Sequence, residues 1–117
     1  MPKVPINPAE QLDREFAQER ASALGRLGRA FEAALAALAQ LDQAPSDTLE
    51  HCQMRAALIA EASVALWQFI VQREVCGLRD MRQVLRDYAV PMEVAARMGA
   101  LPLSPARSRK RLDESQP

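Results

Sequence analysis

From Thr48 to Cys76 the chain reads as a single helix of 29 residues that is apolar around most of its circumference. Cys52, Ala56, Ile59, Ser63, Leu66 and Ile70 recur at three- and four-residue steps and make one mostly apolar seam. Leu58, Ala62, Ala65 and Phe69 make a second, and Ala60, Val64, Trp67, Val71 and Val75 a third. Glu50, Gln53, Glu61, Gln68 and Gln72 leave only a narrow polar stripe. Such a helix belongs in an interior. One antiparallel neighbour covers one face, so the rest must be covered by the chain's own C-terminal third or by a second copy.

The flanking sequence supplies ends for this helix and a partner. Asp47-Thr48-Leu49-Glu50 has the character of a capping box with Asp47 in the cap position, and Gly77 is a good stop. Asp42 to Ser46 is a loop. Upstream of it, Asn7-Pro8-Ala9-Glu10 reads as a helix start, with Asn7 as cap and Pro8 in the first helical position. Leu24, Leu27, Phe31, Leu35 (or Ala34), Leu38 and Leu41 then trace an apolar face. The two rods measure roughly 50 and 44 Å at about 1.5 Å per residue, and a loop this short lets them lie only antiparallel. Glu10 and Arg14 are spaced for an i,i+4 ion pair. Gly25 and Gly28 interrupt the first helix, each at about 1 kcal/mol relative to Ala. A close helix crossing, a mild kink, a hinge or a break would each account for them.

After Gly77, Asp80-Met81-Arg82-Gln83 is a second capping box and opens a short helix to about Tyr88. Ala89-Val90 is a turn, Pro91 starts a last helix, and Gly99 ends it. Abundant Ala and Leu with few aromatic residues favour helix over sheet. The expected fold is therefore all-α: a long antiparallel helical hairpin plus two short C-terminal helices, assembled as a four-helix-bundle-like homodimer. The expected layout is an extended arm over 1–7, where Pro2, Pro5 and Pro8 fall every third residue, one helical domain over 8–99, and a disordered basic tail over 100–117. The helices are expected at about 8–41, 48–76, 80–88 and 91–98.

Charge is balanced overall but not along the chain. Residues 1–76 carry a net −3, residues 77–111 a net +5, and Asp113 and Glu114 follow. A basic field over the whole chain, the usual mark of a nucleic-acid binder, is absent. The most apolar stretch, Ala56 to Val71, is short for a membrane span and holds Glu61, Ser63 and Gln68. The N-terminus has no apolar run of the signal-peptide kind. A cytoplasmic location with reduced cysteines is the expectation, with no membrane partner.

Candidates for catalysis are few. His51 and Cys52 are adjacent, so their side chains diverge by about 100° on a helix. Cys52 and Cys76 are 24 residues apart on one helix, too far for a disulfide within the chain. Both cysteines are expected as small core residues, and Trp67, Phe69 and Tyr88 as core aromatics. Glu61, if buried, could act as an acid or base, but it shares the polar stripe with Gln53 and Gln68. No metal-ligand spacing, phosphate loop or second catalytic group accompanies it, so neither enzymatic activity nor a cofactor is expected.

The reading that remains is interaction. Leu24, Leu27, Phe31, Leu38, Ile59, Leu66, Trp67, Phe69 and Ile70 are the candidate interface residues for self-association. Arg73, Glu74, Arg79 and Asp80 form a charged cluster at the end of the hairpin, which either braces the turn or docks a protein partner. Residues 83–94 also have the outline of a helix-turn-helix, giving an alternative in which Arg82, Arg86, Arg97, Arg107, Arg109, Lys110 and Arg111 touch DNA. That alternative is weakened by a would-be recognition helix that opens Pro91-Met92-Glu93, with no side chain suited to reading base edges.

The run Ala65-Leu66-Trp67-Gln68-Phe69-Ile70-Val71-Gln72-Arg73-Glu74-Val75-Cys76-Gly77-Leu78-Arg79-Asp80 resembles a family of short bacterial proteins of unknown function. The likeness continues through Val84 to Pro91 and Arg97-Met98-Gly99 and covers about residues 65–99. It implies a small helical protein with no assigned activity and no catalytic or binding residues to carry over.

Overall fold

The computed structural model describes residues 7–98, and all regular structure among them is helical: α1 (Pro8–Asp42), α2 (Leu49–Val75), α3 (Met81–Asp87) and α4 (Met92–Met98). Most of the expected arm, and the basic tail with Arg107, Arg109, Lys110 and Arg111, lie outside the described residues.

Local capping chemistry sets the ends. Asn7 Oδ1 accepts the Ala9 N–H at 3.0 Å and opens α1, with Pro8 at the first helical position where its missing N–H costs nothing. At α2 the cap is Thr48, not Asp47. The Thr48 hydroxyl accepts the His51 N–H at 3.2 Å, while Ser46 Oγ accepts the Thr48 N–H and fixes the approach of the loop. His51, not Glu50, then stands three residues in, so no reciprocal box closes. Asp80 Oδ1 caps α3 through the Gln83 N–H at 3.1 Å.

Two helices end in the same hydrogen-bond pattern. Behind α2, the Leu78 N–H reaches Arg73 O at 2.8 Å and the Gly77 N–H reaches Glu74 O at 2.9 Å, with Gly77 at φ +86°. Behind α3, the Val90 N–H reaches Leu85 O at 3.0 Å and the Ala89 N–H reaches Arg86 O at 3.1 Å. The left-handed residue here is Ala89, at φ +48°. Pro91 contributes its carbonyl to the first turn of α4, so that helix begins at Met92.

α1 is unbroken through Gly25 and Gly28. It lies against α2 with Gly28 beside Phe69 and Asp42 beside Arg55, so the two run in opposite directions. The core is Phe31 and Leu38 from α1, Leu66, Phe69 and Ile70 from α2, Val84 from α3 and Val94 from α4. Burying each such side chain is worth about 1.5–3 kcal/mol. Phe31, Phe69 and Tyr88 meet at one end with ring centroids 5.4–6.1 Å apart, and α3 is held there. α4 packs on α2, where the Ser63 hydroxyl lies 2.7 Å from Ile59 O and 3.1 Å from Val94 O and shares its proton between them. A serine in an apolar seam is thereby satisfied at a helix crossing.

Several expectations are corrected by burial. Cys52 is exposed and Cys76 only half-buried, so neither is a core residue. Trp67 is exposed while Phe69 is buried, because the 200° between them on α2 puts them on opposite sides. Glu10 and Arg14 do not close to 4.0 Å, since both are on exposed α1 with nothing to restrain them.

Candidate functional site

The residues that sequence periodicity nominates for self-association do not share one surface. Phe31, Leu38, Leu66, Phe69 and Ile70 are buried in the chain's own core, and Leu24, Leu27 and Ile59 pack against it. Periodicity marks which side chains leave water but not which chain covers them. Of the nine, only Trp67 faces outward.

Trp67 belongs to the third seam of α2, which is largely exposed among the described residues; its start, at Ala60 and Val64, borders Arg97 and Met98 of α4. Val64, Trp67, Val71 and Val75 are 57, 56, 39 and 57% exposed, and Leu78 continues the line beyond the helix. Ala57, Val64, Val71 and Leu78 recur every seven residues, with Ala60 and Trp67 between them, which is the a/d spacing of a helix seam that packs on another helix. This face lies opposite the one that α1 occupies.

The C-terminal helices are fixed to a different side. The Arg55 guanidinium donates to Asp42 Oδ1 and Oδ2 at 2.8 and 3.2 Å, and to Glu93 Oε2 and Oε1 at 2.6 and 2.9 Å. One side chain thus ties the end of α1, the start of α2 and the first turn of α4. Hydrogen bonds from Arg55 hold both carboxyls below their ordinary range and push the guanidinium further up. Sequence reasoning missed this trio, because partners 13 and 38 residues apart have no local spacing to betray them.

The charged cluster divides. Asp80 caps α3, and the Arg73 guanidinium carbon sits 5.6 Å from the centre of the Phe69 ring, while Glu74 and Arg79 are exposed. Arg82, Arg86 and Arg97 are exposed as well. Among the described residues no group of three His, Cys, Asp or Glu converges as a metal set. Glu61 is exposed, and His51 and Cys52 line an open depression with Ser46, Asp42 and Arg55, the last two already paired with each other.

Two further features went unread in the sequence. Leu12 and Phe16 are 49 and 54% exposed on the first turns of α1, which carry the α1 face beyond the end of α2. α2 as a whole is also long and apolar enough, by length and composition, to cross a membrane, because its caps extend it well past the Ala56–Val71 stretch. The core helix of a soluble protein meets the same test.

No curated protein and no solved structure matches the chain. A family profile does, over residues 4–107, which extends well beyond the 65–99 stretch that carries the resemblance in the sequence. The chain belongs to the family of unknown function DUF6665.

Proposed function

We propose that this protein is a homo-oligomeric interaction module that pairs with a second copy of itself through the outer face of α2. The observation that carries the reading is the exposed line of Val64, Trp67, Val71 and Val75, spaced three and four residues apart along α2. With Leu78 beyond the helix end it presents an apolar strip of a few hundred Å², of the order that monomers rarely leave in water. Two copies meeting on this face, with the flanking polar residues of α2, would form an interface at the small end of the specific range of about 1,000 Å² and above. A helix seam is self-complementary about a two-fold axis, and a central tryptophan is the residue type that most often anchors such contacts. The paired α1–α2 units then form a four-helix bundle with α2 on the inside of each.

A lipid bilayer is a poorer occupant. Arg26, Arg29 and Glu32 are exposed on α1, which lies alongside α2, and insertion would bring them into hydrocarbon. DNA is also disfavoured, since the first turn of α4 directs Glu93 to Arg55 and offers no base-reading side chain.

Light scattering at micromolar concentrations should give twice the 13.0 kDa chain mass. Trp67→Glu combined with Val71→Glu should give the single-chain mass with unchanged helix content, because neither residue contributes to the core. A wild-type protein that stays at the single-chain mass overturns the reading. Salt-sensitive duplex binding by such a monomer would point to the DNA alternative instead.

A further inference from the structure

Gly25 and Gly28 stand three residues apart on α1, yet only one of them has a packing reason. A Cβ at Gly28 would lie 3.2 Å from Phe69 Cε1, so the close approach of α2 favours a glycine there. A Cβ at Gly25 would meet only the guanidinium of Arg29, at 3.3 Å. Nothing from another helix comes near. Gly25 instead lines a groove of about 450 Å³ between α1, the end of α2 and Tyr88. It is open to solvent along one side, so a ligand there would be held at one end and only partly covered.

Two arginines border the groove. Arg29 folds back over Gly25, and Arg73, half-buried, is held over the face of Phe69. Among the described residues neither has a carboxylate within 4.0 Å, whereas Arg55 has two. The cation–π contact pre-positions Arg73 without neutralising it. Leu24 and the rings of Phe69 and Tyr88 supply apolar wall, and the Glu32 carboxylate also lines the groove, so the two arginines leave it a net single positive charge.

We infer that this groove binds a small organic oxyanion, a carboxylate or a phosphate ester, with Arg29 and Arg73 on its charged end and its apolar body against Leu24 and Tyr88. Arginine matches the planar oxygens of both groups through paired N–H donors. The absence of a side chain at Gly25 is what lets the Arg29 guanidinium lie against the backbone at the edge of the groove. The site faces away from the Trp67 surface, so it stands or falls independently of self-association.

The test is calorimetric titration of the full chain with phenyl phosphate and, separately, benzoate, at ionic strength held constant with sodium chloride. Saturable binding of at least one probe is expected, and the preferred probe distinguishes phosphate from carboxylate ligands. Arg29→Gln with Arg73→Gln should weaken it by about tenfold or more. Gly25→Leu should weaken it as much by displacing the Arg29 guanidinium from the groove edge, with a melting temperature no lower than wild type, because leucine is a good helix former and meets no other helix there. The inference is overturned if neither probe saturates, or if binding survives both sets of substitutions unchanged.

Discussion

The same change at two neighbouring glycines should move stability in opposite directions. Gly25→Ala removes a helix-interior glycine, a gain of about 1 kcal/mol, and its new methyl meets only the Arg29 guanidinium, which can swing into solvent. Gly28→Ala has the same propensity gain, but its methyl would sit 3.2 Å from Phe69 Cε1 and 3.5 Å from Phe69 Cζ. Phe69 cannot step aside: Phe31 and Tyr88 flank its ring at 6.1 and 5.5 Å, and Arg73 lies over it. Overpacking of this kind costs about 1–3 kcal/mol, which cancels or exceeds the propensity gain. Gly25→Ala should therefore be stabilised by up to about 1 kcal/mol and Gly28→Ala left between neutral and about 2 kcal/mol destabilised. Urea unfolding followed by circular dichroism reads both values, and parallel slopes would show that the unfolded states are comparable. Equal stabilisation of the two variants would refute the argument, for it would mean that α1 and α2 do not touch closely at Gly28.

Two other expectations follow from local geometry. Ala89 occupies left-handed backbone at φ +48°, where a Cβ costs about 1 kcal/mol or more, so Ala89→Gly should raise the unfolding free energy by roughly 1 kcal/mol; a loss of stability in the same urea assay would count against the turn described for Tyr88 to Pro91. Asp42 and Glu93 both have lowered carboxyl pKa values because they accept hydrogen bonds from Arg55, so their contribution is complete above the ordinary carboxylate range and is lost as pH falls through the lowered values. The melting temperature of wild type should then fall more steeply below about pH 4 than that of Arg55→Gln, and superimposable profiles would remove the trio from the account.

What the sequence discloses here is local. Asn7-Pro8, Gly77 and Asp80 act where their spacing suggests, because a cap needs only residues within one turn of itself. Asp47 misled because two adjacent residues, both able to cap, differ only in which one the loop presents, and Ser46 Oγ decides for Thr48. The three seams of α2 were readable, but which seam meets α1 depends on the partner's shape: Gly28 admits Phe69, and that contact turns Trp67 outward. The Arg55 trio spans three helices and the Gly25 groove two, so neither leaves a trace in any window of the chain.

The exposure of the outer face of α2 has a cause in the contacts around it. α3 and α4 are connected to the end of α2 by a few residues and could lie on either side of it. They lie on the inner side because three contacts draw them there: Tyr88 enters the Phe31–Phe69 cluster, the Val94 carbonyl meets the Ser63 hydroxyl, and Glu93 reaches Arg55. Each is polar or aromatic and directional, whereas Val64, Trp67 and Val71 offer only area. Covering that area with α4 would bury about as much apolar surface as a partner does, but it would leave Arg55 with one carboxylate and Ser63 with one fewer acceptor. The directional contacts therefore hold the short helices to one side of α2, where the end of α4 (Arg97, Met98) borders the Trp67 face at Ala60 and Val64 and leaves the rest of it exposed. Where Glu93 and Tyr88 are held thus decides how much of the Trp67 face stays open for the proposed second copy: Glu93→Gln should leave the oligomeric mass unchanged while lowering the melting temperature, and loss of the dimer in that variant would break the link.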